Sequence, residues 1–512
     1  MLAKIASAAI LGVDGYIVSV EVDVSSGLPA FDIVGLPDSA VKEARERVRT
    51  AIRNTGFSFP IKRITVNLAP ADTRKVGPAF DLPIAIGILV CMDVLDQQEV
   101  KDICFAGELS LDGTVRPVNG ILPMVLAARA SGMQTCCVPW ENGAEANLVG
   151  GMSILTASNL KEIVDHFTDG NILAPGAVFE THKSKPFYDV DFSDVKGQQF
   201  IKRALEVAAA GSHNILIIGP PGAGKTMLAH RMPTIMPDLT TDESLELTKI
   251  YSIAGLLRGQ FSRIKQRPFR SPHHTASTVS LIGGGRVPIP GEISLAHNGI
   301  LFLDELPEFQ KRAIEILRQP LEDGTVTISR AYGTLTYPCN FMLVASMNPC
   351  PCGYWGADNP GSTGKKCNCT QNEIDKYLRK ISGPMLDRLD IHVEASSLEY
   401  SEFEHNGGEC SQDIKKRVVQ ARNLQQARFA DFENVRNNAQ MSASMVEKFC
   451  RLGDAEKDIM RQAFDRLGLS ARAYHKILKI ARTIADLDGA ENIQAEHLSE
   501  AFSYRSLDRK YW

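Results

Sequence analysis

The stretch Gly219-Pro-Pro-Gly-Ala-Gly-Lys-Thr226 constrains this chain more than any other. It fits G-x-x-x-x-G-K-[ST] and lies between an apolar run, Ile215–Ile218, and a helix-like run, Met227–Met232. Glycines at these places let backbone N–H groups curl round phosphates. The lysine reaches the outer phosphates, and the last hydroxyl binds Mg²⁺. A buried strand feeding a helix through this loop requires an α/β core. Gly219, Pro220, Pro221, Gly222, Ala223, Gly224, Lys225 and Thr226 are therefore the candidate nucleotide-binding residues, with ATP and Mg²⁺ as ligands.

Two further strands lead to polar residues. Ile300-Leu-Phe-Leu303 ends in Asp304 and Glu305. Asp304 would hold Mg²⁺ through water, and Glu305 would orient and deprotonate the attacking water. Phe341–Ser346 leads to Asn348, whose amide would sense the terminal phosphate. An Asn before Pro349 is also an ordinary turn former.

Composition sets the frame. The chain has 512 residues, 44% hydrophobic and 23% charged, and 56 Lys+Arg nearly balance 60 Asp+Glu. Those values exclude a disordered chain, a collagen and a coiled-coil rod, and leave room for about three domains. They also exclude a uniformly basic coat. No run of 18 apolar residues exists, so no membrane helix is expected. Lys4 followed by Ile5–Val13 resembles a signal peptide. Asp14 closes that run, and Val18, Val20, Val22 and Val24 then alternate with polar residues as in a half-buried strand. A folded N-terminus and a cytoplasmic protein are expected. Four of 11 cysteines stand in two C-x-C pairs, Cys350/Cys352 and Cys367/Cys369. Four thiolates would close a tetrahedral Zn²⁺ site; the bland reading is free thiols on a loop.

Charge is uneven along the chain. Between Leu247 and Gly291 stand seven Lys/Arg and no Asp or Glu. Arg267, Arg270, His273, His274 and Arg286 from this stretch, with Arg330 further on, are candidate nucleic-acid contacts. The alternative is that these cations pair with acidic surfaces of neighbouring subunits.

The phosphate loop, the acidic strand end and the polar third strand together describe AAA+ ATPases. The segments Val34-Gly-Leu-Pro-Asp38, Val66-Asn-Leu-Ala-Pro70, Phe269-Arg-Ser-Pro-His-His-Thr275, Asn348-Pro-Cys-Pro-Cys-Gly353, Ile381-Ser-Gly-Pro384 and Ala481-Arg-Thr-Ile-Ala485 go further. They resemble the YifB/ComM family of magnesium-chelatase-like ATPases, from Ile5 to Arg509. The resemblance implies an α/β multidomain protein. Residues 1–168 would form a Lon-protease-like (ribosomal S5 domain 2-like) α+β domain, and 169–187 a linker. Residues 188–397 would form an AAA+ P-loop core with a helix-2 insertion and a pre-sensor-1 hairpin over Glu322–Tyr337. Residues 398–512 would form a helical lid.

It also implies roles for single residues. Arg388 matches the arginine finger, acting on a neighbour's site; the bland reading is a surface Arg paired with Asp387 or Asp390. Arg472 matches the sensor-2 arginine, with Lys476 the lesser choice. Ala79 and Leu122 stand where Lon-like proteases carry the catalytic Ser and Lys, so no peptidase is expected. The implied activity is a homo-hexameric, ATP-driven DNA motor for branch migration or helicase-like remodelling in natural transformation. The alternative is an ATPase that remodels a protein partner, as in magnesium chelatase.

Overall fold

The computed structural model describes residues 1–176, 188–257, 263–285, 288–330, 333–356, 366–396, 408–432, 435–467, 469–507 and 511. It is a mixed α/β chain of several units built round two large sheets.

The first sheet has eight strands. Their order is Ala174–Pro175, Ser153–Ala157, Thr135–Pro139, Ile103–Phe105, Leu2–Leu11, Asp14–Ser25, Arg63–Ala69 and Ala30–Val34. Leu2–Leu11 and Asp14–Ser25 form a hairpin closed at Leu11↔Asp14, with Gly12 in a left-handed conformation at the turn. The valine alternation has its expected outcome: Val18, Val20, Val22 and Val24 all point into the core. Helices Ser39–Asn54, Asp81–Cys91 and Ile121–Ala130 cover the sheet. The expected linker differs in its first part. Ala174–Pro175 pairs with Ser153–Ala157 as an edge strand, and residues 177–187 lie outside the described residues.

The second sheet has five strands, all parallel, in the order Phe269–Arg270, Ile300–Leu303, Met342–Met347, Ile215–Ile218 and Ile391–Glu394. Every residue of Ile215–Ile218, Ile300–Leu303 and Met342–Met347 is buried. Helices cover a parallel sheet on both faces, which is why these strands read as unbroken apolar runs. The helix Gln199–Gly211 lies between this sheet and the C-terminal helices Ser411–Arg428 and Ala471–Leu487. Among the described residues no helix is long and apolar enough to cross a membrane.

The expected hairpin forms as two antiparallel strands, Thr325–Arg330 and Gly333–Pro338. A smaller ribbon, Gly283–Gly284 with Ile289–Pro290, leans on it: Tyr337 Oη donates to the Pro288 carbonyl at 2.9 Å. A Cβ at Gly283 would lie 2.2 Å from the Ile289 carbonyl oxygen, so only glycine permits this ribbon.

The two sheets are joined through the helix Thr241–Ile253. It packs on Ile121–Ala130, and Gly120 N–H donates to the Ser252 carbonyl at 3.1 Å. Ser252 Oγ donates to half-buried Glu145, which also accepts from Leu122 N–H at 3.0 Å and Asn142 at 3.2 Å. Burial raises the Glu145 pKa, against the pull of these donors. Ala79 and Leu122 are both buried in one apolar cluster, and neither offers a hydroxyl or an amine.

Candidate nucleotide site and its surroundings

The phosphate loop caps the end of Ile215–Ile218, beside the two strands that bring the carboxylates and the amide. Gly222 and Gly224 are left-handed, which frees the loop to turn its N–H groups inward. Gly219 has another reason. A Cβ there would lie 2.7 Å from Ala395 Cβ. Lys225 opens the helix Lys225–Ile235 and is buried. Its Nζ donates to the carbonyls of Gly219 (2.7 Å) and Pro220 (3.0 Å) and to Asn348 Oδ1 (3.0 Å). Desolvation lowers its pKa to about 8, against the attraction of Asp304 and Glu305.

Thr226 Oγ1 donates to Asp304 Oδ2 at 2.8 Å, and Ser346 Oγ donates to Asp304 Oδ1. A hydroxyl beside a carboxylate is an oxygen donor set that suits Mg²⁺. Glu305 adopts a left-handed backbone, φ 54°, and its N–H donates to Asp304 Oδ1 at 3.0 Å. Its exposed carboxylate lies 3.8 Å from His274 Nδ1. Strained backbone of this kind is held by its surroundings and is common where a side chain must be aimed. Lys225, Thr226, Asp304, Glu305 and Asn348 thus converge at the C-terminal ends of the sheet's three interior strands. Sequence reasoning missed Ser346, because a serine inside an apolar strand carries no pattern of its own.

Arg388 lies at the opposite, N-terminal end of the strands. Asn214, just before Ile215–Ile218, donates from Nδ2 to the Arg388 carbonyl at 2.9 Å. The full strand therefore separates Arg388 from the phosphate loop, about 13 Å of rise for four residues. Arg388 lines a cleft of about 870 Å³ together with Arg472, Lys476, Glu322, Asp387 and Asp390. Its guanidinium pairs with Glu322, not with Asp387 or Asp390. Asp390 is engaged with Lys476 at 2.9 Å. Asp387 lies 3.8 Å from Arg472, which is 68% exposed.

Three of the seven cations in the basic stretch are paired within the chain. The window holds no acid, but carboxylates from outside it, Glu243, Glu292 and Asp14, meet its cations. Arg267 pairs with Glu243 at 3.0 Å and donates to the carbonyls of Pro237 and Asn298. Arg270 makes a two-pronged pair with Glu292 at 2.6 and 2.7 Å. Lys249 lies 3.2 Å from Asp14. These contacts tie loops together and occupy the guanidinium groups of Arg267 and Arg270. Exposed His273 packs against His274 with ring centres 4.1 Å apart and planes tilted by 34°, and exposed Arg330 reaches Gly284 at the ribbon. Arg286 lies outside the described residues.

The four cysteines come together. Cys350, Cys352, Cys367 and Cys369 place their sulfurs within 4.8 Å of one another. Three of the separations are 3.3, 3.5 and 3.7 Å. A tetrahedral Zn–S bond of about 2.3 Å places sulfurs about 3.8 Å apart, so the set fits that ion.

Comparison with known proteins agrees along the whole chain. Residues 191–403 match the family described as magnesium chelatase, subunit ChlI; residues 20–142 match subunit ChlI of Mg-chelatase; and 408–505 match the ChlI C-terminal region. The competence protein ComM of Haemophilus influenzae is 44% identical, covering 99% of this chain and 98% of its own length. The protein YifB of Escherichia coli is 42% identical over 98% of this chain and 96% of its own. Lon protease 2 of Bacillus subtilis is 28% identical over 128 residues, 25% of this chain. The chain belongs to the YifB/ComM family of magnesium-chelatase-like proteins.

Proposed function

We propose that this protein is an ATP-hydrolysing DNA motor that works as a ring, a homo-hexamer, and remodels branched recombination intermediates. The observation that carries the reading is the division of the site. Lys225, Thr226, Asp304, Glu305 and Asn348 meet at the C-terminal ends of the strands, while Arg388 and Arg472 share a cleft at the N-terminal ends. An arginine a strand's length from its own phosphate loop has no reach to it. It fits a site completed by the next subunit, where its fork stabilises charge on the transferring phosphoryl group.

Thr226 and Asp304 hold Mg²⁺, which neutralises charge on the phosphates when bound. Glu305 orients and deprotonates water. Arg472 is exposed, its 3.8 Å contact with Asp387 lying in solvent, whereas Lys476 is spent on Asp390. The turn that carries His273 and His274 and the hairpin strand that ends at Arg330 contact DNA, with Arg286 a further candidate from the sequence. The N-terminal part is a Lon-like relic without a dyad, and Cys350, Cys352, Cys367 and Cys369 hold a structural zinc ion. A relative at 44% identity is named for competence, which favours DNA as substrate. The match to magnesium chelatase leaves protein remodelling as the competing reading.

The test is ATPase activity and branched-DNA unwinding by wild type and Lys225→Ala. Stimulation by single-stranded or branched DNA at low salt, lost in the variant, supports the motor. Hydrolysis with no response to DNA sinks it in favour of protein remodelling.

A further inference from the structure

The four-cysteine centre and the phosphate loop are two sides of one wall. The segment that runs from Met347 to Gly353 touches the loop three times. The Met347 carbonyl accepts from Gly219 N–H at 3.1 Å. Asn348 Oδ1 accepts from Lys225 at 3.0 Å. Gly353 then closes a turn, its N–H donating to the Cys350 carbonyl at 3.0 Å, with φ at +86°. At that turn the backbone sits directly against Pro221: a Cβ on Gly353 would lie 2.5 Å from Pro221 Cδ. Between these contacts stand Cys350 and Cys352.

The other pair arrives from elsewhere. Cys367 and Cys369 end just before Thr370, whose side chain caps the helix Gln371–Leu378. Ile374, Tyr377 and Leu378 of that helix are core residues. The far flank of the loop is fixed as well. Trp355 N–H points at Cys350 Sγ at 3.4 Å, and its ring packs edge-on against Tyr511 at 5.3 Å. Tyr511 Oη donates to Glu394, next to the Ala395 that abuts Gly219. The phosphate loop is thus clasped between Ala395 at Gly219 and Gly353 at Pro221.

Thiolates this close repel one another unless a cation lies between them. Metal-binding free energy at such a site is spent on holding the segments that supply the ligands. We propose that a thiophilic divalent ion, zinc by its ligand set, acts as a brace for the phosphate loop. Metal loading of the four cysteines then sets the affinity for nucleotide. The proposal rests on the readings that residues 219–226 bind nucleotide and that the four sulfurs hold a metal.

The experiment uses the full-length protein with Mg²⁺ in excess and a fluorescent ATP analogue, without DNA. Elemental analysis of wild type is expected to give about one zinc per chain. Extraction of zinc with a mercurial, followed by removal of the mercurial with thiol, is expected to weaken nucleotide binding about tenfold or more, as loss of an outer support does at other sites. Re-addition of zinc restores it. Gly353→Val keeps all four ligands and is expected to retain its zinc while losing affinity by a similar factor; Gly353→Ala loses less. Retained zinc in these variants separates a displaced loop from an unfolded chain. Nucleotide affinity within twofold of wild type in the zinc-free protein, or in zinc-loaded Gly353→Val, overturns the brace. Absence of zinc from wild type overturns the metal reading, and zinc-loaded wild type that binds no nucleotide overturns the loop reading.

Discussion

Lys225 and Asn348 are joined by a 3.0 Å hydrogen bond, from the lysine ammonium to the asparagine carbonyl oxygen. This bond occupies the ammonium together with two carbonyls of its own loop. Phosphate oxygens entering the loop would replace these neutral acceptors with charged ones, and Lys225 would be more strongly ionised afterwards.

That exchange has a pH signature. Burial holds the Lys225 pKa at about 8, below its ordinary value of 10.5. The unfolded chain binds more protons in that interval, so this residue's contribution makes the free protein more stable as pH rises through it. Bound phosphate reverses the shift. Calorimetry in buffers of different ionisation heat is expected to show proton uptake on ATP binding near pH 8.5 and little near pH 6.5. Equal uptake at both values contradicts the assignment to Lys225.

Glu305 has an exposed carboxylate on a left-handed backbone fixed by Asp304 and Ser346. Gln fits the same conformation without the charge. Glu305→Gln is expected to bind ATP as tightly as wild type and to hydrolyse it at least about a hundredfold more slowly. Chromatography with ATP should show a more persistent ring. Normal turnover in single-cycle kinetics contradicts the role as base.

The split site calls for a mixing experiment. Arg388→Ala and Lys225→Ala are each expected to be nearly inactive alone, the first with nucleotide affinity kept. Mixed rings contain some interfaces in which an intact Lys225 faces an intact Arg388. Activity of the mixture well above the mean of the two variants is the expected result. No recovery, with mixed assembly verified by cross-linking, contradicts action between subunits.

The expectation of no peptidase in the N-terminal part has its own test. Leu122→Lys buries an amine in an apolar cluster beside Ala79, and is expected to lower thermal stability sharply and to create no peptidase, even with Ala79→Ser. Glu145→Ala removes the acceptor shared by Leu122 N–H, Asn142 and Ser252, at a cost of about 1–3 kcal/mol. Glu145→Gln leaves one oxygen where two now accept and is expected to fall between wild type and Glu145→Ala. Denaturant titration distinguishes these outcomes.

What was legible in the sequence follows from how each element is buried. Ile215–Ile218 and Ile300–Leu303 are buried on both faces, so their apolar runs and the residues at their ends stand out. Phe269–Arg270, the outermost strand of the same sheet, is two residues long, and its half-buried side chains carry no period. It passed as part of a basic insertion. Pairings across the fold were less legible still. Glu243, Glu292 and Glu322 lie far enough from Arg267, Arg270 and Arg388 that only the tertiary path shows them meeting. The cysteine cluster was legible because two short spacings limit where four sulfurs can go.

The helix Thr241–Ile253 leads straight into the basic stretch and is also the seat on which Gly120 and Glu145 rest through Ser252. A displacement of that helix along its axis would drag the eight-stranded sheet behind it. The N-terminal domain is then freight coupled to the insertion. Gripping it from outside, with an antibody fragment or a surface tether, would load the insertion without touching the nucleotide.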